Sequence, residues 1–477
     1  MDAPLHAQTT ADTLALSLSE VLPRYAKHAL AVLEGAGYEA WVVGGWIRDA
    51  LLGSAAHDVD IATDAHWKQA AEVLRRAGYA VYETGSAYGT VTVVIENHPL
   101  EVTTYRIESS YSDSRHPDDV RFSDSIRLDL ARRDFTVNAM AFNPSRGLLD
   151  PYLGQRDLRL RLIRAVGDAR ERFEEDALRV LRAVRFACRL DFSIEAATDH
   201  ALAVCAPRLA SIARERIGAE TRAIVETGRT ARALRIGFPA LAAAIPELAP
   251  MDDFDQQSPF HAYDVREHTA RVCAGVEAFT AGTAQSALRW AALLHDIAKP
   301  MTFSEDEGGR GHFFGHPEES ARMAHEILEP MGVPQSLVAQ TAQLIRWHDL
   351  EVSASASSIR RFIATLDEGC AGRGACLATQ IIELKRADAL AKTPYCRTYA
   401  VKLDVIARML HDEIRVGAVQ SPRDLAVSGN DVMRTLDLAP GPAVGMYLRQ
   451  LFEAYLAGEV ANEREALLAL LTPAMST

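Results

Sequence analysis

The sequence predicts an α+β protein in which a small sheet-bearing head is followed by a long, all-helical remainder. Three observations carry that prediction. Runs of strand length, apolar or alternating, crowd the first third of the chain: Trp41 to Val43, TVTVVI at 90–95 and LEVTTYR at 100–106. Beyond about Asp157 the apolar residues recur at helical spacing and no strand pattern returns. Pro246 and Pro250 then punctuate the helical part, so the helices are expected to fall into more than one unit.

Bulk properties narrow the class. A chain of 477 residues divides into about three domains at ~100–200 residues each. With 48% apolar and 24% charged residues, it has ample material for ordinary soluble cores. No apolar run reaches the ~18 residues of a membrane span, and no basic segment leads into an apolar N-terminal core. A cytoplasmic location is therefore expected, with no membrane partner. The cysteines (Cys188, Cys205, Cys273, Cys370, Cys376, Cys396) form no CxxC pair, which argues against a zinc ribbon or disulfide framework. The net charge of −13 argues against a nucleic-acid binder. From Arg156 to Arg189, however, arginines outnumber acids, and Arg132-Arg133 stands just upstream. A polyanionic partner would have to bind along that band.

Taken in order, residues 1–20 are polar and expected to fray, and an amphipathic helix from Pro23 to Gly37 leads into the first strand. A Gly44-Gly45 turn, a short helix with Arg48, and a second strand carrying Asp58 and Asp60 follow. A helix from Ala65 to Ala77 precedes the strands YAVYETG, TVTVVI and LEVTTYR, with a turn at Asn97-His98-Pro99. Helices are expected on one face of this sheet. Residues 106–125 are polar and non-periodic, a length of irregular chain that tends to be functional. The expected divisions are a flexible N-terminus (1–20), a head (21–150), a helical neck (151–248), a histidine-rich domain (258–400) and a helical tail (401–477).

Asp58 and Asp60 stand at i and i+2, so in an extended segment both carboxylates share a face while Val59 and Ile61 turn inward. Such a pair suits Mg²⁺, which takes one or two carboxylates plus substrate phosphates. The Gly-Gly turn before a helix offers backbone N–H groups to a phosphate. The pair alone also describes solvated turn residues. Glu101, on a neighbouring strand, would complete a two-metal site for nucleotidyl transfer; by itself it also reads as an edge-strand carboxylate in solvent.

The run ARRDFTVNAMAFNP (131–144) mixes Arg133, Asp134 and Asn138 with apolar residues. Arg133 can neutralise phosphate, and Asp134 and Asn138 can bond ribose hydroxyls or backbone; a capped helix start is the plainer alternative. A helix is expected from Glu174 to Leu190. Its core face is Ala177, Val180, Leu181, Val184 and Ala187, and Arg179, Arg182, Arg185 and Arg189 lie on the other side. That basic side is either a solvated face or a site. Asp176 and Arg179, one turn apart, present an acceptor beside a donor. Cytosine and adenine each show an amino donor next to a ring-nitrogen acceptor, whereas uracil and guanine show the reverse. The pair would thus accept C and A and refuse U and G, because mismatched buried polar groups are costly. Finally, His268, His295-Asp296, His316, His348 and Asp388 make a candidate metal cage on helices, with ligands suited to Mn²⁺, Fe, Ni²⁺ or Zn²⁺.

The runs GGWIRDALLG, HDVDIATDA, EVTTYR, RRDFTVNAMA, DPYLGQRDL and EEDALRVLRAVRFA together resemble the class II tRNA nucleotidyltransferase and poly(A) polymerase superfamily, bacterial type. HDIAKP resembles an HD phosphohydrolase domain. The resemblance spans nearly the whole chain. It implies a polymerase-beta-like head, a neck with a base-selecting helix, an HD domain and a tRNA-binding tail. It implies that Asp58, Asp60 and Glu101 are catalytic, with Mg²⁺ on the two aspartates. Gly44, Gly45, Arg48, Arg133, Asp134, Asn138, Asp176, Arg179, Arg182 and Arg185 would bind ATP or CTP. The HD site would use His268, His295, Asp296, His316, His348 and Asp388. The segment 106–125, with Arg106, Asp113 and Arg115, corresponds to a flexible loop needed to switch from C to A. Trp46-Ile47 and HDIA depart from the usual small residues and HDIG.

The implied activity is addition of C, C and A to tRNA from CTP and ATP. A poly(A) polymerase or an enzyme adding only CC or only A is the alternative within the superfamily. Outside it stand an HD phosphohydrolase and a protein uridylyltransferase; the latter would need a uracil-accepting site and a ligand-sensing tail, neither of which is visible. The guanosine-tetraphosphate type has its HD part first, the opposite order. The oligomeric state is not readable from the sequence.

Overall fold

The computed structural model describes residues 17–55, 58–108, 120–279, 285–368, 372–417 and 419–471. The chain forms two compact units, one of residues 1–224 and 236–244, the other of residues 225–235 and 245–477.

The first unit is built on a seven-stranded sheet. Its strands are β1 (Ala40–Val43), β2 (Asp60–Thr63), β3 (Ala80–Tyr82), β4 (Thr90–Ile95), β5 (His98–Thr104), β8 (Ala141–Asn143) and β9 (Gly147–Leu149), in the order β3-β4-β5-β2-β1-β8-β9. The intervening β6 (Arg106–Glu108) and β7 (Val120–Phe122) pair with each other as a separate antiparallel ribbon. Alternation governs β4, whose Val91, Val93 and Ile95 are buried while Thr90, Thr92 and Val94 are less so. The β4–β5 hairpin turns at Glu96-Asn97, both at positive φ (52° and 64°), the mirror-image turn that matches strand twist. His98 and Pro99 already belong to β5, so the turn lies one step before the Asn97-His98-Pro99 expected from composition.

Helix α1 (Arg24–Gly35) buries Tyr25, Ala26, Ala29, Leu30 and Leu33 and packs on β1 and β2. Each leucine so buried contributes about 1.5–3 kcal/mol. Helix α2 (Gly45–Leu51) follows the glycine turn, and α3 (Trp67–Arg76) packs on β3, β4 and β5. The second face of the sheet is also covered. Trp41, Val43, Ala62 and Ala141 pack with Tyr105 and with Ile126 and Leu130 of α4 (Ile126–Ala131). The expectation of helices on one face only is corrected: all four residues of β1 are buried, which requires cover on both sides.

One alternative falls and two further expectations change. The plainer reading of RRDFTVNAMAFNP as a capped helix start does not hold; the run makes a single 3₁₀ turn at Thr136–Asn138 and continues into β8. Segment 106–125 is not irregular throughout, because its ends form β6 and β7; Asp113 and Arg115 lie outside the described residues. Strands do recur after Asp157, as the two-residue pairs Leu162–Ile163 with Ser193–Ile194 and Ser304–Glu305 with Gly311–His312.

Helices α5 (Gly154–Leu160), α6 (Ala169–Glu175) and α7 (Leu178–Leu190) continue the unit. The helix expected from Glu174 to Leu190 is broken. Asp176 is extended (φ −142°, ψ 102°), and its Oδ1 accepts from Leu178 N at 3.0 Å. A short carboxylate bonding the backbone two residues on competes with helix continuation. The core face was read correctly, since Ala177, Val180, Leu181, Val184 and Ala187 are all fully buried.

In the second unit, the helices Val265–Phe279, Ser286–Leu294, His316–Leu328, Gln335–Trp347 and Gly374–Ala391 bring the histidines together. A separate apolar cluster including Val432, Leu451, Phe452, Leu456 and Leu467 builds the tail.

Asp150 fixes the start of α5, accepting from Gly154 N (2.6 Å) and Gln155 N (2.9 Å). A Cβ on Gly154 would lie 2.3 Å from the Thr136 carbonyl oxygen. Gly154→Ala is therefore expected to push the Thr136–Asn138 turn and lower stability by about 1–3 kcal/mol. An unchanged thermal midpoint would contradict this packing.

Candidate active site

Parallel pairing of β2 and β5 sets Asp60 directly beside Glu101. Asp58 precedes β2 by two residues and lines the same cleft as Asp60. Val59 and Ile61 are buried, as the alternation requires. Glu101 is not on an edge strand, because β4 and β2 flank β5. Burial, then repulsion from Glu101, pushes the Asp60 carboxyl up to about 6; Arg133 pulls it down and Asp58 adds to the rise. Clustered oxygen donors whose mutual repulsion is only partly offset fit a hard divalent cation.

Arginines are fixed around this edge by buried acids. Gly44 adopts φ +79°, and a Cβ there would stand 3.1 Å from Arg133 Nη1 and 3.8 Å from Asp60 Oδ2. The glycine thus gives room for the guanidinium beside the carboxylate. Asp129, wholly buried, accepts from Arg132 Nε (3.0 Å) and Arg133 Nη2 (3.2 Å). Arg48 donates to Asn138 Oδ1 (2.6 Å), and Asn138 Nδ2 donates to Asp134 Oδ1 (3.0 Å). Asp134 Oδ2 accepts from Arg182 Nε (2.9 Å) and Nη2 (2.5 Å). Burial opposes ionisation of Asp134, but Arg182 and Asn138 outweigh it and hold the carboxyl down at about 2. Asp134 and Asn138 therefore position arginines, and their polar atoms are engaged within the protein.

The basic side of α7 is a cleft wall, not a solvated face. Arg179 is only 7% exposed. It donates to Glu175 Oε2 (2.8 Å) and to the carbonyls of Arg172 (3.2 Å) and Arg132 (3.1 Å). Arg185 donates to Glu220 (2.6 Å), and Arg48, Arg182 and Arg185 gather around the Phe186 ring at 4.5–5.5 Å. A cavity of about 660 Å³ is lined by Gly44, Gly45, Asp58, Asp60, Asp134, Asn138, Asp176, Phe186 and eight arginines, among them Arg48, Arg133, Arg179, Arg182 and Arg185. Asp176 and Arg179 thus share one cleft with Asp58 and Asp60, although Asp176 precedes the helix that carries Arg179. Asp129, Phe186, Arg216 and Glu220 were missed by sequence reading. The spacing of Asp129 to Arg132-Arg133 was the one available signal.

The second centre assembles all six expected residues. His268 Nε2 stands 3.3 Å from Asp296 Oδ2 and 3.1 Å from Asp388 Oδ1, and His295 Nε2 lies 3.2 Å from Asp296 Oδ2; none of these contacts has hydrogen-bond alignment. His316 Nε2 is 3.4 Å from Asp296 Oδ1, and the His316 and His348 rings are 5.3 Å apart. Two trios, His268/His295/Asp296 and Asp296/His316/His348, have ligand atoms within 4.8 Å of one another. Nδ1 of His295, His316 and His348 contacts the carbonyl of Ala292 (3.0 Å), Phe313 (2.9 Å) and Ile345 (2.6 Å), respectively. That arrangement assigns the proton to Nδ1 and turns a basic Nε2 inward, as metal-ligating histidines require. Burial and unaligned ligand atoms together fit a metal ion. Lys299 Nζ lies 2.7 Å from Asp296 and Lys392 Nζ 2.5 Å from Asp388. His261, Asp349 and both lysines line the associated cavity of about 370 Å³ and were not anticipated.

The chain is similar to known proteins along most of its length. Residues 40–164 match the poly A polymerase head domain, 261–393 the HD domain and 398–471 tRNA nucleotidyltransferase domain 2. The CCA-adding enzyme of Streptococcus mutans is 32% identical over 453 residues, 94% of this chain and 97% of that protein. The chain belongs to the CCA-adding enzyme family. The family member from Lactiplantibacillus plantarum is 46% identical over 195 residues, 41% of this chain and 47% of that protein. Among solved structures, the CCA-adding enzyme of Bacillus stearothermophilus in complex with CTP aligns with a TM-score of 0.66 at 29% identity, covering 94% of this chain and 96% of that one. The Thermotoga maritima enzyme complexed with tRNA shares the fold at a TM-score of 0.61 and 18% identity, covering 97% of each chain. Among the described residues, no helix is long and apolar enough to cross a membrane.

The raised Asp60 carboxyl has a consequence for stability. Between about pH 4 and 6, the folded protein holds a proton that the unfolded chain has released, so stability falls as pH rises through that window and stays lower above it. In metal-free protein, Asp60→Asn is expected to raise the thermal midpoint at pH 8 and to leave it nearly unchanged at pH 4. Adding Mg²⁺ should stabilise the parent at pH 8 but not the variant. Equal effects at both pH values would contradict the geometry.

Proposed function

We propose that this chain adds C, C and A, without a template, to the 3′ end of tRNA from CTP and ATP. The observation that supports this most is the sharing of one arginine-lined cleft by Asp58 and Asp60 with Asp176 and Arg179. Chemistry and base choice thereby lie within reach of a single nucleotide. Asp58, Asp60 and Glu101 would hold Mg²⁺, which when bound activates the attacking hydroxyl and stabilises the leaving pyrophosphate. Arg48, Arg133, Arg182 and Arg185 neutralise the triphosphate, with Gly44 leaving room beside Arg133 and Gly45 beside Arg48. The Asp176 carboxylate accepts from the base amino group, and Arg179 donates to the ring nitrogen. The terminal ribose oxygen then bonds to the α-phosphorus of the nucleotide as the bond to pyrophosphate breaks. The tail from about residue 401 is assigned to holding the tRNA body.

The test is incorporation of labelled CTP and ATP, separately and together, into tRNA lacking CCA. The parent is expected to complete the triplet; incorporation of A alone, or of C alone, would favour the partial or poly(A)-type alternatives. Asp58→Ala and Asp60→Ala should each abolish addition of both nucleotides while tRNA binding persists, and normal turnover in either variant would refute the mechanism.

The second centre supports a phosphohydrolase. His268, His295, Asp296, His316, His348 and Asp388 would hold a transition metal such as Mn²⁺, Ni²⁺, Fe or Zn²⁺, which when bound supplies an activated water. Lys299 and Lys392 place positive charge in the same cavity, where a phosphoester would sit. A 2′,3′-cyclic phosphodiester or phosphomonoester at a damaged RNA end is the assigned substrate class. Mn²⁺- or Ni²⁺-dependent phosphoester hydrolysis should be present in the parent and lost in His295→Ala; its absence from the parent would discard this activity.

A further inference from the structure

The hairpin at the mouth of the histidine cavity carries a feature that metal binding does not use. Ser304–Glu305 pairs with Gly311–His312, and the chain then runs through Phe313, Phe314 and the left-handed Gly315 (φ +76°) into His316. Phe314 is 78% exposed yet lines the cavity. Its ring is stacked on His312, with centroids 5.3 Å apart and planes within 5°. His312 is itself fixed: its Nε2 lies 2.9 Å from Asp306 Oδ2, and Asp306 Oδ1 accepts from Gly308 N (2.9 Å) and Arg310 N (3.0 Å). An aromatic ring held from behind, open in front and beside a cavity that holds Lys299 and Lys392 is preorganised for stacking.

We propose that Phe314, backed by His312, is a base-stacking platform that makes this centre prefer phosphoesters carried on a nucleotide. The proposal rests on the hydrolase reading above. Phe314 and the ligand His316 are two residues apart, at most ~7 Å along the chain, which suits a base on the ring and its own phosphate at the lysines and metal ligands. Stacking on one ring reads no sequence, since every base has a π-face. The ligand is therefore a nucleoside phosphate of any base, free or at the end of an RNA.

The test compares full-length parent and Phe314→Ala protein, each loaded with Mn²⁺, on uridine 2′,3′-cyclic phosphate, on a short RNA ending in a 2′,3′-cyclic phosphate, and on β-glycerophosphate, which has no base. The variant should raise KM about tenfold for the first two, with kcat and the β-glycerophosphate reaction unchanged, and Phe314→Trp should restore the parent KM. A rise confined to the RNA, or to the mononucleotide, would identify which source is bound. Equal loss on all three substrates, or no change on any, overturns the platform. Equilibrium dialysis of uridine 3′-monophosphate against both proteins gives a readout independent of turnover. If the parent hydrolyses nothing but binds this nucleotide about tenfold more tightly than Phe314→Ala, the platform stands and the hydrolase reading falls. Equal binding overturns the platform whatever the activity.

Discussion

The parallel register of β2 against β5 is the constraint on which the head depends. A one-residue slip would carry Asp60 and its neighbours to the opposite faces of the sheet, burying carboxylates and exposing Ile61. Apolar residues on both faces hold the register: Ile61 and Val102 are fully buried, and Ala62 is buried with the Trp41/Leu130 cluster on the other side. The cost of burying Asp60 at this edge, and then of setting it beside Glu101, appears as its raised carboxyl. Folding energy from the rest of the sheet keeps a repulsive cluster in place for a cation to relieve.

From that edge, buried hydrogen bonds lead to α7. Arg48 of α2, Asn138 of the 3₁₀ turn, Asp134 and Arg182 of α7 form one chain of contacts between 2.5 and 3.0 Å. Removing any middle member would leave buried charge unmatched. The arginines are therefore preorganised, which is how a protein-only site can stabilise charge without reorganising at the moment of reaction. The second unit uses the same economy with imidazoles, whose backbone contacts through Nδ1 fix which nitrogen faces the centre.

Much of this was legible in the sequence where a local period carried it. DVD at spacing two, the TVTVVI alternation and the apolar face of α7 needed only geometry of strand and helix. The histidine set was legible because His295-Asp296 stands beside an apolar helical run, with further histidines on the helical segments before and after it. What escaped depends on contacts distant in sequence or too short to show a period. Glu220 meets Arg185 across 35 residues, and Phe186 gathers three arginines. β8 and β9 are three residues each, below the length at which alternation is visible. The break at Asp176 arises because a side-chain bond to Leu178 N overrides an unbroken helical pattern. His261 belongs to no spaced motif and reaches the cavity only through the fold.

We propose a division of labour within the head: Asp58 and Asp60, with Glu101 beside Asp60 on the neighbouring strand, serve bond making, and the Asp176/Arg179 pair that shares the aspartates' cleft serves base choice. It is tested most directly by the ratio of kcat/KM for CTP over UTP on tRNA lacking CCA, compared between Glu101→Gln and Asp176→Asn. Glu101→Gln is expected to slow both nucleotides and keep the parent ratio, while Asp176→Asn lowers the ratio by at least about tenfold through gained use of UTP as well as lost use of CTP. A ratio unchanged by Asp176→Asn, or collapsed by Glu101→Gln, would contradict it.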